Sequence, residues 1–192
     1  MQLILFSGKQ GSGKDTIANE VKRNLEMERF GNKKVAIIKF ASVIYEAHDA
    51  VLDVLRKYKI EVPQKDGSLL QDLGTKHGRL KYGEDIWVKC FQEKLKQLNV
   101  DYAIATDCRF QNEHYAFPEA LRVRLSCPED VRRSRALGWR EDTNHVSETD
   151  LDPIANNPKG FDLTLQTHIT SINGCADLVL AQIRKNNWLE KR

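Results

Sequence analysis

A short apolar run, Gln2–Ser7, leads directly into Gly8-Lys9-Gln10-Gly11-Ser12-Gly13-Lys14-Asp15-Thr16, and a helical pattern follows at once. This order of strand, glycine-rich turn and helix constrains the fold more than any other feature of the chain. Gly8 to Lys14 fits GxxxxGK, and a buried strand before it with a helix after it is the context in which that spacing carries chemistry. A backbone that wraps an anion closely needs conformations that side chains block, which explains the glycines. The loop amides then converge as a nest, and the helix presents its positive N-terminal end to the same anion. Lys14 supplies a mobile cation for the transferring oxygens. A dinucleotide-binding turn is excluded, because GxGxxG is absent.

The loop therefore assigns Gly8, Gln10, Gly11, Ser12, Gly13, Lys14, Asp15 and Thr16 to the phosphates of a nucleotide cofactor, ATP. Asp15 stands where Ser or Thr usually follows the lysine. Beside a triphosphate it would repel unless Mg²⁺ lay between, so one reading makes it a metal ligand acting through water. The other makes it a first-turn acid that favours the helix dipole. Thr16 offers a hydroxyl to the phosphates and the metal.

Further along, strand and helix signals alternate without repeats or low-complexity linkers. Strands are expected at Gln2–Ser7, Val35–Phe40, Tyr102–Thr106, Leu121–Ser126 and Phe161–Leu165. Helices are expected at Lys14–Arg29, Ser42–Tyr58, Ser68–Leu80, Asp85–Leu98, Pro128–Leu137 and Ile169–Asn186, with at best a short one at Asn112–Phe117. Gly138–Pro158 reads as a polar loop. The pattern predicts an α/β fold with about five parallel strands and helices on both faces. A chain of 192 residues with 41% hydrophobic and 30% charged residues suits one domain with a real core.

Other chemistries find little support. Cys90, Cys108, Cys127 and Cys175 form no CxxC pair, and the five histidines lack metal-type spacing. The net charge of +3 is too mild to announce a nucleic-acid partner. The opening apolar run lacks the basic flank of a signal peptide and the length of a membrane span, so a cytoplasmic protein is expected.

Two more segments bear on transfer. Tyr102–Asp107 places a carboxylate at the end of an apolar strand, where an acid supports Mg²⁺ or the attacking hydroxyl, and Arg109, Asn112 and Glu113 follow. Arg132, Arg133, Arg135 and Arg140 crowd the segment after the fourth strand, with Gly138 and Trp139 interrupting it. Such a cluster is either a solvated helix face or a lid whose arginines neutralise the charge of the transition state. Read as a lid, over about 128–148, it points to Arg132 and Arg135 as phosphate contacts. The expected catalytic set is Lys14, Asp107, Arg109, Arg132 and Arg135, and the expected metal set is Asp15, Thr16 and Asp107.

The loop above, Leu70-Gln71-Asp72-Leu73-Gly74-Thr75 with Gly78-Arg79, Asp85-Ile86-Trp87-Val88, Asp107-Cys108-Arg109-Phe110-Gln111-Asn112-Glu113 and His145-Val146-Ser147-Glu148 follow one another in order. Together they resemble the deoxynucleoside monophosphate kinases encoded by tailed bacteriophages. The resemblance runs to about Leu165. It implies a P-loop kinase fold, ATP and Mg²⁺ as cofactors, and phosphorylation of a deoxynucleoside 5′-monophosphate in the host cytoplasm. It also implies an acceptor-binding region over about 41–99, with Gln71, Thr75, Arg79, Trp87 and Glu113 contacting substrate. Arg79 would clamp the acceptor phosphate bidentately. Without the resemblance, Trp87 reads as core, whereas Gly74 and Gly78 fit a backbone brought close to a ligand.

Rival readings keep the loop and change the rest. Phosphomevalonate kinases of the animal type share a GKD loop and a DxR turn, and some phage kinases act on hydroxymethylated bases within DNA. A nucleotide-binding switch without turnover is disfavoured by the absence of NKxD and by the arginine-rich segment. The acceptor base and the oligomeric state, a homodimer included, stay open at this level.

Overall fold

The computed structural model describes residues 1–136, 139 and 145–188. In chain order its elements are β1 (Gln2–Ser7), α1 (Lys14–Leu25), β2 (Val35–Ile38), α2 (Ser42–Lys57), α3 (Gly67–Gly74), α4 (Leu80–Tyr82) and α5 (Ile86–Gln97). There follow β3 (Tyr102–Ala105), α6 (Gln111–Tyr115), β4 (Leu121–Ser126), α7 (Glu129–Arg135), α8 (Val146–Thr149), α9 (Asp152–Ala155), β5 (Leu163–Gln166) and α10 (Ile172–Lys185). They divide between two compact units, Met1–Ile38 with Leu98–Arg192, and Lys39–Gln97.

The first unit holds a five-stranded sheet in the order β2-β3-β1-β4-β5, and all neighbours are parallel. β1 is central, with Ile4 opposite Ile104 on one side and Leu121 on the other. Its continuous apolar run is what a parallel strand covered on both faces requires. Ile4 and Phe6 are fully buried against one layer, and Leu3 and Leu5 on the opposite face are closed off almost as completely. Ile17, Val21 and Leu25 of α1 and Val179, Leu180 and Ile183 of α10 join Ile4 and Phe6 in a single core. Each such side chain contributes about 1.5–3 kcal/mol on burial.

Strand β4 alternates instead. Leu121, Val123 and Leu125 enter the core, while Arg122 and Arg124 point to the other face. Register places Arg124 beside Ser7, the residue just before Gly8. A basic side chain is thereby brought under the glycine-rich turn. The chain runs from β1 to β2 and β3 on one side, then crosses to β4 and β5 on the other. The reversal lies at β1, whose C-terminal end carries the turn, and this is where open α/β sheets form a crevice.

The second unit is helical. Phe40 stacks on Phe91 with ring centroids 3.9 Å apart, and Lys94 reaches Ser42 Oγ at 3.0 Å and Glu46 at 2.6 Å, tying α2 to α5. The expected single helix Ser68–Leu80 is interrupted, because Thr75–Arg79 winds as a π-turn between α3 and α4. Gly138–Pro158, expected to be loop throughout, contains α8 and α9 among its described residues. Among the described residues no helix is long and apolar enough to cross a membrane.

Candidate active site

The chain leaves β1 through Gly8, Gly11 and Gly13, all with positive φ. Gly11 shows why the side chain is missing, since a Cβ there would stand 2.5 Å from the Arg132 carbonyl. The turn closes on itself through the Ser12 amide, which donates to Lys9 O at 3.2 Å. Gly13 is the left-handed N-cap of α1, so the first amides of that helix point into the turn. The hydroxyls of Ser7 and Ser12 are buried there without a hydrogen-bond partner among the described residues.

Lys14 lies along this loop, only 7% exposed, with Nζ donating to Gly8 O at 2.6 Å and to Lys9 O at 3.0 Å. Burial, then the nearby Arg109 and Arg124 charges, pull its pKa down to about 7, against the opposing pull of Glu148 and Asp15. A cation this close to neutrality is poised to gain from an anionic ligand.

A cavity of about 790 Å³ opens over the loop. Gly11–Ile17 form one wall, and Arg135 with Thr167–Ile172, the link from β5 to α10, form the rest. Thr167 Oγ1 donates to Ser12 O at 3.0 Å and Arg135 donates to Thr167 O at 3.2 Å, which binds that link to the phosphate loop. Nothing local in Thr167–Ile172 marks it as a site, and reading along the sequence missed it.

The two acids expected near a metal are differently placed. Asp15 is exposed in the first turn of α1, and Oδ1 accepts from the buried Thr106 hydroxyl at 2.7 Å. Asp107 is half-buried in the turn after β3, a turn held to β1 by Cys108 N donating to Phe6 O. Thr16 is exposed beside Asp15. Among the described residues no three His, Cys, Asp or Glu side chains gather as a dedicated metal cage.

Arg109 is paired with Glu148 and also reaches Ser147 O at 3.3 Å. Glu148 in turn accepts from the Gln10 amide at 2.8 Å, so His145–Glu148 joins the site from 138 residues away. Arg132 is buried and braces the loop, donating to Gln10 O at 2.9 Å and Cys127 O at 3.1 Å. These bonds go to backbone, and among the described arginines of the expected lid Arg135 lines the cavity. Arg140 and most of residues 137–144 of the expected lid lie outside the described residues.

Glu113, expected to contact substrate, holds backbone amides in this structure. It is 3% exposed, and Oε2 accepts from the amides of Arg109 at 2.8 Å and Phe110 at 3.1 Å. The carboxylate fixes the turn that carries Arg109 by capping α6.

In the helical unit, Gln71 and Thr75 are exposed, and Arg79 is half-buried with Nε 3.9 Å from a Glu84 oxygen. Trp87 is core: it is 9% exposed and Nε1 donates to Gly74 O at 2.8 Å. The reason for Gly78 lies there too, because a Cβ would meet the Trp87 ring at 2.3 Å. The close approach inferred from this glycine is to an indole, not to a ligand.

No protein-family model matches the chain, and no curated protein does either. Solved structures do. A shikimate kinase from Bacteroides thetaiotaomicron aligns with TM-score 0.56 and 15% identity over 95% of this chain and 98% of that one. One from Acinetobacter baumannii, in complex with shikimate, gives 0.56 and 14% over 97% and 94%. Another, from Aquifex aeolicus, gives 0.54 and 14% over 97% and 98%. Likeness at this identity establishes the architecture: the chain has the P-loop kinase fold.

Proposed function

We propose that this chain is a phosphotransferase that moves the terminal phosphoryl group of ATP to a deoxynucleoside 5′-monophosphate. The observation that carries the first half is Lys14, buried along a left-handed glycine turn that forms one wall of a cavity of about 790 Å³. That volume falls within the range of small-molecule and cofactor sites. The second half rests on the ordered motifs from Gly8 through Glu148 that resemble the phage kinases.

The nucleoside end of ATP lies against Thr167–Ile172 and Arg135, and the phosphates descend onto the amides of Gly11 to Thr16. An oxygen of the acceptor monophosphate attacks the γ-phosphorus in line, the bond to the bridging oxygen breaks, and ADP leaves. Lys14 and Arg109 neutralise the oxygens of the transferring group. Arg132 acts indirectly, holding Gln10 in place. Mg²⁺ fits a site of few protein ligands, because it keeps waters and binds through one or two carboxylates plus phosphates. Asp15 and Asp107, with Thr16, are the residues to hold it, and it would supply charge neutralisation. Arg79 is assigned to the acceptor phosphate and Gln71 and Thr75 to its nucleoside.

A small non-nucleotide acceptor is the second reading, favoured by the shared architecture with shikimate kinases. ADP release with ATP and Mg²⁺ separates the two, measured against dAMP, dGMP, dCMP, dTMP, their ribose counterparts, 5-hydroxymethyl-dUMP, shikimate and phosphomevalonate. Turnover dependent on a deoxynucleotide supports the proposal. Turnover only with a non-nucleotide acceptor sinks its second half.

A further inference from the structure

The segment His145-Val146-Ser147-Glu148 has no role in the mechanism above, yet it lies against the phosphate loop. The Glu148 side chain is 12% exposed. Oε2 accepts from the Gln10 amide at 2.8 Å, and Oε1 pairs with Arg109. Burial alone would raise its pKa, but Arg109, the Gln10 amide and Lys14 outweigh that and hold it below the ordinary carboxylate value. The group is an anion. Its partners, a loop amide, an arginine and a nearby lysine, are those that a phosphate oxygen would take.

Two further acids fix the segment independently of Glu148. Asp150 Oδ2 accepts from the Gln111 amide at 2.7 Å. Asp152 pairs with Lys9 at 2.9 Å and with Arg124 at 3.3 Å. The short helices α8 and α9 are thereby strapped to the phosphate loop, to β4 and to the start of α6, with Glu148 just ahead of the anchors.

The position along the loop is informative. The cavity wall begins at Gly11 and runs to Ile17, whereas Gln10 is not among its lining residues. Read as the nucleotide site, this cavity sets Gly11 to Thr16 against the phosphates nearer the nucleoside. On that reading the Gln10 amide, joined to Arg109 through Glu148, is the donor left for the terminal phosphate.

We propose that Glu148 is a phosphate surrogate that guards the terminal-phosphate position. A nucleoside triphosphate binds by displacing the carboxylate from the Gln10 amide and taking over Arg109. A nucleoside diphosphate binds beside the carboxylate and leaves both contacts in place. The inference rests on reading the cavity as the nucleotide site. It adds that Glu148 lowers the preference for ATP over ADP and that its return follows transfer.

The test is equilibrium binding of ATP and of ADP, with Mg²⁺ and no acceptor, to the wild type, Glu148→Gln and Glu148→Ala. Both variants should bind ATP about tenfold more tightly, the scale of one lost charge-assisted competitor. ADP affinity should stay within about twofold. Equal shifts for both nucleotides, or none, overturn the surrogate while leaving the nucleotide site standing. A wild type that binds neither nucleotide removes both. Hydrogen exchange on the wild type guards against a variant that misfolds: residues 145–155 should exchange faster with a non-hydrolysable ATP analogue and not with ADP. Unchanged exchange with the analogue contradicts the displacement.

Discussion

Thr106 donates its hydroxyl to Asp15 Oδ1 at 2.7 Å, joining the end of β3 to the first turn of the helix behind the phosphate loop. Thr106 is 1% exposed, so the donor is held in a sheltered place and orients the Asp15 carboxylate. The helix-dipole reading of Asp15 needs no such orientation, whereas the metal reading does. Thr106→Val, which keeps the shape and removes the donor, should raise the Mg²⁺ concentration for half-maximal turnover by about tenfold. Nucleotide binding without metal should be unchanged. A titration of activity with Mg²⁺ checks this, and an unaltered midpoint returns Asp15 to the role of a first-turn acid.

Lys14 gives a pH prediction with a definite sign. Its pKa is lowered to about 7 by burial and by Arg109 and Arg124. Phosphates favour the ammonium form and raise it again, so nucleotide binding above neutrality must draw in a proton. ATP affinity should therefore weaken as pH rises from about 7 to 9, approaching tenfold per unit at most. Calorimetry at pH 8 in buffers of different ionisation enthalpy should show proton uptake in the wild type and none in Lys14→Ala. Equal heats across buffers for the wild type would place the Lys14 pKa well above this range.

Gly78 separates packing from ligand contact. Because a Cβ would meet the Trp87 ring at 2.3 Å, Gly78→Ala should destabilise the protein by ~1–3 kcal/mol, the usual scale of overpacking. The same change should cost less in a Trp87→Phe background, since contacting residues couple. Denaturant melts of the four proteins give the coupling directly. Additive effects would mean that the indole is not what the glycine makes room for.

Buried His114 sets a second pH dependence, this one on stability. Burial, then Arg122, lowers its pKa from 6.5 to about 4, with Asp162 and a Gly160 backbone bond opposing. Its Nδ1 is buried without a hydrogen-bond partner among the described residues. The unfolded chain therefore binds the proton more readily than the folded one between these values, and stability must fall as pH drops from 6.5 towards 4. The loss is about 3 kcal/mol if no other group responds. Urea melts should show this slope flattened in His114→Phe.

What was legible in the sequence follows a physical pattern. β1 and β4 run over the residues expected, because a buried run ended by glycine and a clean alternation are both local signals. The phosphate loop was equally plain, since its glycines are demanded by backbone geometry within nine residues. Ser68–Leu80 reads as one helix because nothing in Thr75–Arg79 marks a change of winding, and the π-turn there goes with the packing of Trp87 on Gly78. Glu113 shares its motif with Arg109, and motif reading alone could not tell a capping carboxylate from a substrate contact. Glu148 and Thr167 reach the loop across 138 and 155 residues, a proximity created by the sheet order and invisible to spacing.

The most direct test of the central claim is transfer of label from γ-³²P ATP to a deoxynucleoside monophosphate, run in parallel with wild type and Lys14→Ala. The account predicts labelled deoxynucleoside diphosphate with the wild type and a loss of at least about a hundredfold in the folded variant. Label appearing in the diphosphate at similar rates with both proteins would contradict it, as would label released only as inorganic phosphate.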